Sequence, residues 1–448
     1  MKPNKLDRTR RWTQLAAGLV SLAGLSLESW GQTADALIDK LVEKGILTVK
    51  EANELREETD KGFTQAYQVK TGLPDWVRSM KFNGDLRGRF EGFYAESSDF
   101  ATRQRLRYRL RAGFTAVMRD NFEVGFRLTS SEGAGGFSEG DPISGNQTFG
   151  NNASKKFVFI DLAYAKWAAV NRPDWGATFT LGKMENPFVF PSTILFDRDY
   201  TPEGLASAFD FQLGASQTLR LAGAGFALDE LSGSGQDPYL LGGQARLDSK
   251  WAAMLSSSFG LGYLTILNEA ALTTANVPNI GRGNTRTAAG ALVHEYTPVY
   301  ADASLSYTLE KFPGYNAAFP ITLSGDFLHN TGASDANRGY SVGVTFGKAG
   351  KRGLWDLGYR WTELQRDAWY EEFTESDFGA FYQTAPIGGG TGYASGTNVR
   401  GHWVKGSYSP FDSLTFSLAY FLTDLITESP AGSKSGMGRL QVDAVWKF

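Results

Sequence analysis

Residues 102–114 read TRQRLRYRLRAGF. Arg103, Arg105, Arg107, Arg109 and Arg111 occupy every second position, with Leu106, Tyr108 and Leu110 between them and Ala112 and Phe114 continuing the apolar series. A period of two is a β-strand, because successive side chains point to opposite faces. One face is then a ladder of permanently charged guanidinium groups and the other is apolar. On a soluble sheet the ladder would be a solvated, salt-bridged surface. In a barrel crossing a bilayer it would line the inside, since each arginine turned to lipid would cost about 2–4 kcal/mol near the midplane.

Composition narrows the choice. The chain has 448 residues, 52 glycines, 13% aromatic residues, three histidines, no cysteine and a formal net charge of −3. Gly-rich turns with aromatic-rich strands favour an all-β chain. The absence of cysteine excludes a disulfide framework, a thiol nucleophile and the commonest structural zinc sites. A near-neutral balance gives no reason to expect a nucleic-acid partner. His294, His329 and His402 are far apart in sequence, and no nucleophile elbow or metal-ligand pair accompanies them. No catalytic residue, cofactor or metal is expected, and the reading is of a protein that is not an enzyme.

The N-terminus begins with Lys2, Lys5, Arg8, Arg10 and Arg11, followed by the apolar run LAAGLVSLAGLSL at 15–27, with Ser29 and Gly31 as small residues before a cleavage site. This is a secretory signal peptide over 1–31, too short in its apolar core for a stable span. TRRWTQL partly resembles a twin-arginine signal, but that pathway exports folded proteins. Beyond residue 27 no run of about 18 apolar residues appears. Residues 32–78 are expected to form a short periplasmic helical hairpin and linker. Leu37, Ile38, Leu41 and Val42 share helical spacing, Gly45 ends that helix, and Thr48 with Glu51 offers a capping box for the next. Such a hairpin suits an oligomerisation piece, a tether or a plain spacer.

From residue 79 to 448 the pattern is one of alternating segments about 9–14 residues long, the length of tilted strands crossing a bilayer. Sixteen are expected, near 80–95, 102–118, 121–130, 156–169, 175–186, 203–213, 217–229, 238–248, 251–266, 293–309, 319–330, 339–347, 353–365, 398–408, 413–424 and 437–448. Connections after even strands are tight, as in RDN (119–121), NRPD (171–174), GAS (214–216), DSK (248–250) and SPFD (409–412). Those after odd strands are long: 131–155, 187–202, 267–292, 366–397 and 425–436. Strict alternation of short turns and long loops is the plan of an outer-membrane barrel, and an even strand count puts both termini on the periplasmic side. The last strand places Leu440, Val442, Ala444, Trp446 and Phe448 on one face. Trp446 and the terminal Phe448 resemble the signal read by outer-membrane assembly machinery.

Inside such a barrel Arg87, Arg89 and Arg127 extend the ladder Arg103, Arg105, Arg107, Arg109 and Arg111 into a basic wall. The third external loop, counting the one after the first strand, is NPFVFPSTILFDRDYTPEG at 186–204, apolar in its first half and acidic in its second. Left in water, Phe188, Val189, Phe190, Ile194, Leu195 and Phe196 would form a large apolar patch. Folded into the lumen, they would pack on the wall and set Asp197, Asp199 and Glu203, with Glu185 just before the loop, against the arginines. The 366–397 loop mixes Trp369, Tyr370, Phe373, Phe378, Phe381, Tyr382 and Tyr393 with carboxylates. It would suit gripping a sugar or a partner, or simple packing over the barrel mouth.

Taken in order, RQRLRYRLRAG, NFEVGFRL, ISGNQTF, LGKMENPF and DRDYTPEG resemble the "putative porin" family of Gram-negative-type bacteria, and LIDKLVEKGILTVKEANELREE resembles the segment that precedes the barrel in such proteins. The resemblance implies a single-chain outer-membrane barrel that passes small hydrophilic solutes by diffusion, without naming a solute. The inward constriction loop is similar in position and acidity to that of general sixteen-stranded porins. A solute-selective channel, anion-biased or for sugars, and an adhesin or structural anchor are the competing readings. Expected partners are outer-membrane lipid and lipopolysaccharide, the outer-membrane assembly machinery, small hydrophilic solutes, and two further copies of the chain in a homotrimer.

Overall fold

The computed structural model describes residues 73–98, 100–133, 139–279, 281–379, 395–428 and 434–448. The expected signal peptide and helical hairpin, up to residue 72, lie outside the described residues, as do Phe381, Tyr382 and Tyr393.

Seventeen strands are present among the described residues. They are β1 (Val77–Ala95), β2 (Arg103–Met118), β3 (Phe122–Ser130), β4 (Gln147–Thr148), β5 (Val158–Asn171), β6 (Trp175–Lys183), β7 (Glu203–Leu213), β8 (Gln217–Ala227), β9 (Tyr239–Ala252), β10 (Leu255–Leu267), β11 (Pro298–Leu309), β12 (Phe319–Asn330), β13 (Arg338–Gly347), β14 (Leu354–Leu364), β15 (Val399–Phe411), β16 (Leu414–Leu425) and β17 (Met437–Lys447). All but the two-residue β4 are staves of one closed antiparallel barrel of sixteen strands. Neighbouring staves pair in chain order, and β1 pairs with β17 from Asp85↔Lys447 to Ala95↔Met437. Closure removes the free edges that an open sheet would present. Phe448 completes the join by exchanging two backbone hydrogen bonds with Gly84, at 2.9 and 3.1 Å.

Piece β4 exists because β2 outruns β3. The ladder end of β2 extends past the β3 partners of Arg111–Val117, and the chain folds back so that Thr148 and Gln147 pair with Arg107 and Tyr108. The tight turn from β2 to β3 holds Asp120 and Asn121 at φ 61° and 63°, a left-handed pair that suits a hairpin and that Asp and Asn tolerate.

Two turns differ from the expected places. DSK at 248–250 lies inside β9, whose ladder with β10 runs on through Ser249↔Ser257 and Lys250↔Ser256, so the turn is at 253–254. Likewise β15 continues to Phe411, with its irregularity between Tyr408 and Phe411, which spares Pro410 the ladder hydrogen bond it cannot donate. Polar residues alone do not end a strand when they alternate with its period.

The two faces of the wall are chemically opposite. Leu106, Leu110, Leu181, Leu205, Phe416, Leu418 and Leu422 are exposed on the outside. The buried core sits within the barrel. It joins wall residues such as Leu240, Leu264, Leu328 and Leu364 to Phe188, Ile194, Leu195 and Phe196 of the third long loop and to Trp369, Tyr370 and Phe373 of the 365–398 connection. Gly242 makes this possible at one point: a Cβ there would collide with the Leu264 methyl and sit 3.0 Å from the Phe188 ring.

Candidate functional site in the barrel lumen

Arg105, Arg107 and Arg109 of β2 are buried, and these three with Arg111 are engaged by carboxylates. Arg105 meets Glu91 at 2.5 Å, and Arg107 lies 3.6 Å from Glu91 and 3.4 Å from Glu132. Arg109 holds Asp85 at 2.9 Å and Asp199 at 2.8 Å, while Arg111 holds the same two at 2.7 and 3.3 Å. Across the β1–β17 join, Arg89 grips Asp443 at 2.7 Å and Asp377 at 2.9 Å. Arg103 stacks over the Phe93 ring at 5.9 Å. Arg105 and Arg439 approach the same ring at 5.3 and 4.9 Å. Arg127 bonds Asp161 at 2.5 Å and Glu185 at 2.7 Å. Arg87 donates to Asn146 at 2.6 Å.

Glu91 is the centre of the densest cluster. It is fully buried and touches Arg89, Arg105, Arg107 and Arg439, the last at 2.8 Å, and it also accepts from Gln441 at 2.9 Å. The single negative charge sits where four positive ones converge.

The third long loop, between β6 and β7, turns into the barrel and is fastened at several points. The Gln244 amide on β9 brackets Val189, accepting its N–H at 2.9 Å and donating to its carbonyl at 2.8 Å. Asp199 takes Arg109 and Arg111 on the opposite wall. Trp369 donates its indole N–H to Leu195 at 2.7 Å, Asp197 N–H bonds the Phe373 carbonyl at 2.7 Å, and the Asp197 carboxylate accepts from Ser376 at 2.9 Å. Phe196 stacks on Tyr200 and meets Trp369 edge-on. Two loops therefore fold as one body.

Their carboxyl groups have divergent acidities. Asp199 is held down to about 2: burial opposes ionisation, but Arg109, Arg87 and Arg111 prevail. Asp197 is pushed well above the usual carboxylate range, first by burial and then by the neighbouring Glu375 and Asp199. Glu372, buried and beside Glu371, rises to about 8 despite Arg282 and its bonds from Asn279. Glu185 and Glu203 stand apart from this body. Both are largely exposed, paired with Arg127 and Lys183 respectively. Asp85, Glu91, Asp377 and Asp443, the counter-charges of the ladder, were not among the residues singled out from sequence. The signal was present in Asp443, on the inward face of the last strand, but its partner is fixed only by closure.

Between loop body and wall remains an open cavity of about 630 Å³, bordered by Arg87, Arg89, Arg111, Arg198, Asp356 and Lys405 among others. Trp446 and Phe448 point away from it, exposed on the outside. Among the described residues no cluster of metal-ligating side chains occurs.

The family model described as "Putative porin" matches residues 96–277. No curated protein matches the sequence. Among solved structures, OprB of Pseudomonas putida at high pH is 12% identical and covers 87% of this chain and 97% of its own, with a TM-score of 0.53. OmpF of Salmonella typhi, in complex with daunomycin, is 9% identical over 82% of this chain and 97% of its own, with a TM-score of 0.46. OmpT of Vibrio cholerae, lacking loop L8, is 10% identical over 83% and 99%, with a TM-score of 0.45. At the identity of OprB the likeness is one of fold. The match to the "Putative porin" family model thus spans less than half of the chain, and the closed barrel around it shares its fold with OprB.

Proposed function

We propose that this chain forms a water-filled pore in the bacterial outer membrane for passive diffusion of ions and small hydrophilic solutes. One observation carries the reading: a closed barrel that is apolar outside and encloses a charged cavity of about 630 Å³. On this reading residues 1–31 are the export signal, 32–78 a periplasmic segment and 79–448 the barrel, with long loops outside the cell and tight turns in the periplasm. The third loop, with Asp197 and Asp199, makes the constriction, and its partner is the Trp369–Asp377 stretch. Lipopolysaccharide, the assembly machinery acting on Trp446 and Phe448, and a homotrimer belong to the same proposal.

A second reading, an anion bias, rests on which charges are left over. Asp199, Asp377 and Asp443 are neutralised by arginines. Arg87 hydrogen-bonds the neutral Asn146 and feels Asp199 and Asp443 only at longer range, while Arg198 and Lys405 form no salt bridge among the described residues. Unpaired cations, rather than the ladder itself, then set the field in the pore. Single-channel recording of the full-length protein in a planar bilayer under a salt gradient tests both. Open channels with a reversal potential on the anion side are expected, fading as salt shortens the Debye length from about 10 Å at 0.1 M to about 3 Å at 1 M. A barrel that never conducts would support an anchor or adhesin instead.

A further inference from the structure

One part of the lumen lies outside the ion pairs and the packing of the third loop. Trp403 stands on β15, half-buried, and borders the open cavity. Its ring leans over Gly358 of β14, where a Cβ would lie 3.3 Å from the indole edge. Glycine at that position leaves the wall bare beneath the ring. Behind it Phe378 and Phe421 pack edge to face at 6.4 Å, with Val399 and Ala419 completing a small apolar cluster. The Trp403 indole N–H makes no hydrogen bond among the described residues.

Two positions along the same strand and on the same face, about 7 Å away by strand geometry, comes Lys405. Arg198, exposed on the third loop, borders the same cavity. Neither forms a direct salt bridge among the described residues, Asp356 acting on Lys405 and Glu375 on Arg198 only at longer range, in a lumen where the other inward arginines are nearly all in salt bridges. Cations left unpaired beside an aromatic surface in a wet cleft have recognition chemistry: the charge takes an anion, and the ring takes a flat apolar face.

We propose that the lumen holds a binding station for small organic anions with a ring-shaped apolar face, a carboxylate or phosphate carried on a sugar or an aromatic ring. Trp403 is the platform, and Lys405 with Arg198 supplies the charge. A neutral sugar would engage only the platform, and a compact anion such as acetate only the cations. The station rests on the pore reading above and deepens it by naming a solute class.

The test is solute-induced block of ion current through the full-length protein in a planar bilayer, titrating glucuronate and benzoate against glucose and acetate. Both ring anions are expected to block at concentrations where glucose and acetate do not, and their ratio tells a sugar ring from an aromatic one. Trp403→Ala should weaken the block about tenfold, the loss of about 1.4 kcal/mol, and Trp403→Phe should weaken it less. Lys405→Gln combined with Arg198→Gln should abolish it. Glucose blocking as strongly as glucuronate, or a block indifferent to both Trp403→Ala and the double variant, would overturn the station and leave the pore standing. A protein that forms no channels at all would overturn the pore reading, and the station with it.

Discussion

At the scale of single residues the ladder of β2 turns out to be as much scaffold as surface. Arg105, Arg107 and Arg109 are each less than a tenth exposed, because Glu91, Asp85 and Asp199 reach them. Glu91 contributes most, since removing one partner of a buried charge cluster leaves the others unneutralised. Glu91→Gln leaves Arg89, Arg105, Arg107 and Arg439 converging on an uncharged amide. A loss of roughly 3–5 kcal/mol in the unfolding free energy of the vesicle-embedded protein is expected from measurements on broken buried pairs. An unchanged urea midpoint would mean that water or ions screen the cluster. That the arginines share one face was legible in the sequence, because a period of two needs only the strand itself. Its partners were not: Asp443 lies 354 positions from Arg89 and Asp199 lies 90 from Arg109, separations that only the closed barrel brings together.

At the scale of elements the loop body inside the barrel is a composite. The apolar first half of the 184–202 connection advertised that it must be covered, but its cover comes from Trp369, Tyr370 and Phe373 of another connection, and sequence offered several uses for those aromatics. Buried carboxylates in this body make its stability depend on pH. Glu372 keeps its proton to about pH 8 when folded, whereas an unfolded glutamate releases it near 4.3. Between those values the folded state binds more protons than the unfolded one, so stability falls as pH rises and levels off above about 8. Glu372→Gln mimics the protonated form. Its advantage over wild type, read from urea midpoints, should be near zero at about pH 4 and grow up to about pH 8. A difference between the two proteins that stays flat with pH would show that Glu372 is ionised in the folded state.

At the scale of the whole molecule the alternation of tight turns and long connections was the most legible feature, because turn chemistry is local and repeats. Turn positions were less so: strands β9 and β15 run on through polar residues. Since the chain contains no cysteine, a single introduced thiol reports its own side of the membrane. Ser234→Cys, in the exposed 228–238 connection, should react with a bulky impermeant thiol reagent on intact cells. Asp174→Cys, in the turn between β5 and β6, should react only after the cells are opened, and labelling of it from outside would invert the topology. The β1–β17 join has a consequence for synthesis. The first strand made finds one of its two neighbours only when residues 437–447 have been translated, so a nascent chain stopped short carries two rows of unanswered peptide groups that hydrocarbon cannot solvate. Ring closure is thus a property that no shorter set of strands has: a fragment ending before residue 437 leaves two open sheet edges where the barrel has none.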